Sequence, residues 1–272
     1  VLVSTQYRTL EGLLPSPLLF DHAIVRAVVD GHPYYLDPTN QRQGSRLATL
    51  APALPGSDAL VAAPATTALA RIPPANPAPA VTNRLREQVR VDRFGDAATM
   101  EVETTHWGEE AEAVRRNLAR LTPQQLRKAY ESLLDRRYPQ AQLTEAPRIV
   151  DDRQENRLAV TLQYRIANLF EQSGDRWSVR YEASNLLDPL PQPASAKRRA
   201  PLNLPAFPWV GEYSFALQLP EDYEGRYKPE QRTFAGGVFR FDDTLTFSGR
   251  ELKVDLRLAL TADRVPAADL RA

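Results

Sequence analysis

The sequence predicts an α+β chain that is mainly β, and three observations carry that prediction. Period-two alternation recurs along most of the 272 residues, as where Leu252, Val254, Leu256, Leu258 and Leu260 alternate with Lys253, Asp255, Arg257 and Ala259. Helical spacing is confined to two short stretches between Gly108 and Tyr138. The chain has 23 Pro against 12 Gly, which favours extended strands, edges and rigid connectors over long helices.

In chain order, Val1–Tyr7 reads as a strand and Arg8–Pro17 as a loop ending in a Pro-rich connector. Leu19–Thr39 then reads as a β-hairpin, with strands Phe20–Val29 and Pro33–Leu36. Asp30-Gly31 is a strong signal for a two-residue turn, which pairs Val29 with His32 and sets Ile24 opposite Asp37. His22 and Ile24 share a face because strand side chains alternate, so Asp37 lies diagonal to His22. That spacing is roughly 7–8 Å between backbones, within reach of long or aromatic side chains. A His beside an Asp across a hairpin is a candidate general base with its orienting carboxylate. Asp21 points to the other face. A loop longer by one residue would separate the pair, so the inference depends on the turn.

The matching residues Phe20-Asp21-His22-Ala23-Ile24-Val25, Asp30-Gly31 and Tyr34-Tyr35-Leu36-Asp37-Pro38-Thr39 resemble the His and Asp segment of bacterial transglutaminase-like proteins, which are papain-related in fold. The resemblance implies a Cys-His-Asp triad in that chain order, with His22 the base and Asp37 its orienter. It also implies that residues 1–72 are the C-terminal part of a transglutaminase-like core. The family's Cys opens a helix upstream of the strand matching Val1–Thr5, whereas this chain contains no Cys. The expectation is therefore a C-terminal part of a longer protein, inactive alone, whose missing N-terminal part supplies the nucleophile. The resemblance further implies a protein or peptide substrate and a periplasmic or envelope-associated location.

Asn40–Leu54 is polar and then Ala/Pro-rich, and Ala59–Ala62 and Ala68–Ile72 read as two short strands. Pro73-Pro74-Ala75-Asn76-Pro77-Ala78-Pro79 is the clearest boundary, since such a run continues neither a helix nor a central strand; residues 73–83 are expected as a stiff linker. Beyond it, Asn83–Arg93 and Thr99–Trp107 alternate around a turn at Phe94–Ala97, an antiparallel hairpin with one wet face. Ala111, Val114, Leu118 and Leu121 then make a helical stripe over 108–121, with Glu109, Glu110 and Glu112 near its N-terminus where negative charge suits the dipole. Thr122-Pro123 starts a second helix, expected over 123–137. Strands follow at Gln142–Val150, Arg157–Ile166 and Trp177–Tyr181, with a polar turn at 151–156. After a Pro-rich crossing, Leu186–Pro208, further strands are expected at Val210–Leu219, Thr233–Asp242 and Thr244–Leu260. Residues 84–272 are thus expected to form a β-sandwich with a two-helix insertion. Their segment Arg84–Tyr181 resembles the β-strand region accompanying transglutaminase-like cores in a bacterial family of unknown function.

Composition narrows the function classes. Lys plus Arg and Asp plus Glu are each 34, so no basic field attracts nucleic acid or anionic lipid. No apolar run approaches the roughly 18 residues of a membrane span. The absence of Cys excludes disulfides and thiolate metal sites within the chain. The three His are scattered, so neither a metal nor a cofactor is expected. His32 reads as a solvated turn residue and His106 as a packing or capping one. Asp151-Asp152 with Glu155 lacks calcium-loop spacing. Ser4, Ser16 and Ser45 are nominal substitute nucleophiles outside any Gly-x-Ser-x-Gly elbow. Lys197-Arg198-Arg199 reads as a solvated loop, and Trp107, Trp177 and Trp209 as packing residues. Two functions stay open: a fragment of a thiol acyltransferase or cysteine protease, and a non-catalytic envelope binding or scaffold module whose working part lies in residues 84–272.

Overall fold

The structure, a computed structural model, describes residues 1–74, 81–135, 137–139, 141–191, 201–204, 207–222 and 228–269. Most of the expected Pro-rich linker and the Lys197-Arg198-Arg199 run lie outside the described residues. The chain is mainly β, with several sheets and three α-helices among the described residues.

The N-terminal region holds β1 (Leu2–Val3), β2 (His22–Ala23), β3 (Val25–Val29), β4 (His32–Leu36), β5 (Asp58–Leu60) and β6 (Ala70–Arg71). β2, β1, β5 and β6 form a four-stranded antiparallel sheet in that order, and β3–β4 is a separate hairpin. The turn lies where the sequence places it. Asp30 and Gly31 both take positive φ (50° and 79°), the mirror-image geometry that matches strand twist, and Val29 pairs with His32. The strand expected from Phe20 to Val29 changes partner at Ile24, however. His22–Ala23 joins β1, while Val25–Val29 joins β4. Ile24 is buried at the switch, its N–H donating to the Val1 carbonyl at 2.9 Å. Val3, Ile24, Tyr35, Ala59 and Ile72 make the small core of this region.

The remainder holds β7 (Asn83–Arg90), β8 (Ala98–Trp107), α1 (Glu109–Leu118), α2 (Pro123–Glu131), β9 (Gln142–Leu143), β10 (Arg148–Asp152), β11 (Arg157–Ile166), β12 (Glu171–Ser173), β13 (Arg176–Ser178), α3 (Ser184–Leu187), β14 (Leu202–Asn203), β15 (Val210–Gln218), β16 (Glu230–Gly236), β17 (Phe239–Ser248), β18 (Glu251–Leu260) and β19 (Arg264–Val265). One nine-stranded sheet runs β10-β11-β8-β7-β15-β18-β17-β16, with β9 also on β11. Every neighbouring pair is antiparallel except β7–β15. This continuous sheet stands in place of the two facing sheets of the expected sandwich. Alternation indicates that one face of a strand is buried but not what buries it. Here Val114 and Leu118 of α1, Tyr130 of α2 and Leu186 of α3 cover Met100, Val102, Leu162, Tyr164 and Phe215.

Local signals explain the other differences. Gln142–Val150 is broken by Pro147 into β9 and β10. The two strands expected over 233–260 are three, with turns at Gly237-Val238 and at Gly249-Arg250, where Gly249 has φ 57°. α2 is capped by Thr122, whose hydroxyl accepts from Gln125 N–H while the Gln125 side chain accepts from Thr122 N–H. It ends at Glu131 instead of near 137. Leu121 falls past the end of α1 and is exposed. No helix among the described residues is long and apolar enough to cross a membrane.

The face of the sheet away from the helices is polar. Arg84, Arg86, Gln88 and Arg90 of β7, Glu212 and Ser214 of β15, and Lys253, Asp255 and Arg257 of β18 line a trough of about 960 Å³. Many of its charges are mutually paired, as in Arg84–Glu212 (2.6 Å) and Lys253–Asp255 (2.9 Å).

Candidate functional site

Two local devices bring His22 and Asp37 together. Pairing of His22 with Val3 fixes the first on β2. The β3–β4 register, with Val25 opposite Leu36, delivers Asp37 immediately beyond the end of β4. His22 Nε2 lies 3.0 Å from Asp37 Oδ2, and both side chains are about a quarter exposed, at 23% and 24%. The second Asp37 oxygen, Oδ1, accepts from Thr39 N–H (2.9 Å) and from the Thr39 hydroxyl (2.7 Å). Partial burial works against the Asp37 charge. The Thr39 and His22 hydrogen bonds outweigh it and hold the carboxyl below its ordinary value. An ionised Asp37 accepts the proton on Nε2, which leaves Nδ1 as the basic nitrogen of a neutral imidazole. Among the described residues no hydrogen bond occupies Nδ1.

Asp21 is diverted, as its place on the strand predicts. Its carboxylate accepts from the hydroxyl and the backbone N–H of Thr5, both at 2.7 Å, and those bonds lower its pKa. The three nominated serines serve local turns. Ser4 Oγ accepts from Gln6 and Tyr7 N–H, Ser16 Oγ accepts from Leu18 N–H, and Ser45 Oγ bonds to Thr49. His32 is exposed, edge-on to Tyr34. His106 Nδ1 faces Glu110 Oε2 at 3.2 Å. Trp209 is buried and donates to Glu110 Oε1 at 2.8 Å, so it packs. Burial opposes the Glu110 charge, yet bonds from His106, Trp209 and Asn83 hold its pKa down. Trp177 stacks on Phe94, and Arg84 lies over Trp107. Among the described residues no group of three His, Cys, Asp or Glu side chains is gathered as a metal site.

Two features escaped the sequence reading. Thr39, read only as part of a motif, is what holds Asp37; the Asp-Pro-Thr order is its signal, because Asp side chains bond the backbone N–H two residues on. The other is a buried polar cluster of Glu112, Arg115 and Asn156 joined to Asn40 and Gly44 of the N-terminal region. Glu112 and Arg115 lie one turn apart on α1, a visible spacing, but their partners are 36 or more residues away in sequence.

No protein-family model matches the sequence, no curated protein is significantly similar to it, and no solved structure matches its fold.

Proposed function

We propose that the chain carries the His and Asp of a thiol-dependent acyl-transfer site, with the thiol supplied by a segment of the same protein upstream of this sequence. The observation that carries the reading is the His22 Nε2–Asp37 Oδ2 contact of 3.0 Å, with Asp37 locked by Thr39 and Nδ1 left open. The resemblance of the surrounding motif to transglutaminase-like proteins supports it. In the proposed reaction His22 Nδ1 takes the proton of a cysteine thiol as the sulfur attacks a glutamine side-chain amide or a peptide carbonyl. The C–N bond breaks, the amine leaves with that proton, and a thioester remains. An amine or water then resolves the thioester, giving crosslinking, deamidation or cleavage. Asp37 holds the tautomer and stabilises the imidazolium. A periplasmic or envelope location goes with this reading.

The second reading is a non-catalytic binding or scaffold module. The polar trough on the open face of the sheet favours it.

The test is thioester formation by the full-length protein on a glutamine-containing peptide, read by mass spectrometry. His22→Ala should lower the acylation rate by roughly 10⁴-fold or more while the protein melts normally. Retained acylation in the variant would remove His22 from the mechanism. A full-length sequence with no cysteine at the helix start upstream would favour the binding module.

A further inference from the structure

The turn that follows Asp37 is fastened to the large sheet unit. Asn40 Nδ2 donates to Glu112 Oε2 (2.5 Å), and Gly44 N–H donates to Glu112 Oε1 (3.2 Å). The same Oε1 accepts from Asn156 Nδ2 (2.8 Å). Glu112 sits near the start of α1 and is only 4% exposed, so its carboxylate is buried and satisfied by neutral donors from both regions. One helical turn on, Arg115 braces the far side, donating to Asp151 (2.8 Å) and to Asn156 Oδ1 (2.5 Å). The backbones also meet, since Ser45 N–H donates to the Arg153 carbonyl (3.0 Å). Contact is close enough that a Cβ on Gly44 would lie 2.9 Å from Asn156 Oδ1 and 3.0 Å from the Arg153 carbonyl.

Within the turn, Asn40 N–H donates to the Asp37 carbonyl and Gln41 N–H to the Thr39 carbonyl, both at 3.1 Å. Asn40 is therefore bonded at its backbone to the residue that orients His22 and at its side chain to Glu112. A loop of short polar residues does not by itself hold a carboxylate to the few tenths of an ångström that general-base chemistry needs; a supporting shell does.

We infer that Glu112 is a positioning residue for the His22–Asp37 pair. From α1 it holds Asn40 and Gly44, and through that loop it sets the orientation of Thr39 and Asp37. The inference rests on the reading of His22 and Asp37 as the reacting pair, and it gives the sheet unit a part in that site.

The experiment follows the Asp37 side-chain carboxyl carbon and the Thr39 amide by NMR across an acid titration of the chain, with Asn40→Ala and Glu112→Gln as variants. Asn40→Ala leaves Glu112 bonded to Gly44 and Asn156, so the seam stays closed and the fold is retained. Glu112→Gln keeps the shape but replaces one acceptor oxygen by a donor. The expected result is that both variants move the Asp37 midpoint upward, towards the ordinary aspartate value, and shift the Thr39 amide. The direction follows because loosened Thr39 bonds stabilise the ionised carboxyl less. A seam that merely joins two regions would leave both signals where they were, and unchanged signals in Asn40→Ala overturn the inference, whatever happens to Glu112→Gln. Failure of the functional reading looks different: Asp37 moves as expected, while the full-length protein forms no thioester.

Discussion

The two regions of the molecule are unequal in the resources that hold them. The sheet unit packs a continuous core from β7 to β18 beneath α1, α2 and α3. Its buried charges are partnered, although Arg137 Nε finds no hydrogen-bond partner among the described residues. Glu87 pairs with Arg137 and accepts from the Tyr213 hydroxyl at 2.6 Å. Burial and the Glu87 charge push the Tyr213 phenol far above its ordinary pKa, so that it stays a donor. The N-terminal region has a core cluster of five buried residues, strands of two to five residues, and exposed Leu14, Leu18 and Val28. Yet the smaller region carries the His–Asp pair. A site built on so little core draws on bonds from outside it, and for the loop behind Asp37 the Glu112 seam supplies them, while Arg8 ties the region to Leu204 and Asp263.

The largest effect is expected at Glu87. Glu87→Ala leaves Arg137 buried without its counter-charge, an expected loss of about 3–5 kcal/mol in urea unfolding of the sheet unit. A variant within about 1 kcal/mol of the parent would show that the pair is not structurally required. A smaller and more local effect is expected from Ile72→Ala in the N-terminal core, about 2–4 kcal/mol. Hydrogen exchange should then quicken at Val3 and Tyr35 while the amides of β8 and β11 stay protected. Equal loss of protection in both regions would mean that they unfold as one unit.

The smallest effect is electrostatic and lies at the site itself. Asp37 has a lowered pKa in the folded state. Its contribution to stability is therefore fully present above the unfolded aspartate value of about 3.9 and is lost as pH falls through the lower folded value. Asp37→Asn should flatten that part of the stability–pH curve, measured by urea titration between neutral pH and the acid limit. A curve that keeps its shape would mean that the Thr39 and His22 bonds do not favour the ionised carboxyl. Partial exposure keeps this effect modest.

Much of the site was legible because its geometry is local. Asp30-Gly31 dictates a turn, the turn dictates the register, and the register carries Asp37 towards His22. Thr39 was legible in principle from Asp-Pro-Thr. Glu112 was not, since its charge reads equally well as a helix-dipole partner, and nothing in the spacing of α1 names Asn40 or Gly44. The strands of the large sheet were legible for the same local reason, with β11 matching its alternation from Arg157 to Ile166. The covering of their buried face was not.

The sequence by itself determined the mainly β character, the hairpin and its turn, the capped start of α2, and the pairing of a histidine with an aspartate 15 residues on. Each rests on interactions between residues near one another in the chain, where backbone geometry leaves few choices. Only the tertiary structure decided that one sheet with helices replaces a sandwich, that β7 and β15 run parallel, and that α1 grips the loop behind Asp37. Those outcomes depend on which buried faces and orphan donors meet in three dimensions, as Asn40 and Glu112 do across 72 residues. Apolar periodicity records only that a face must be covered, not by what.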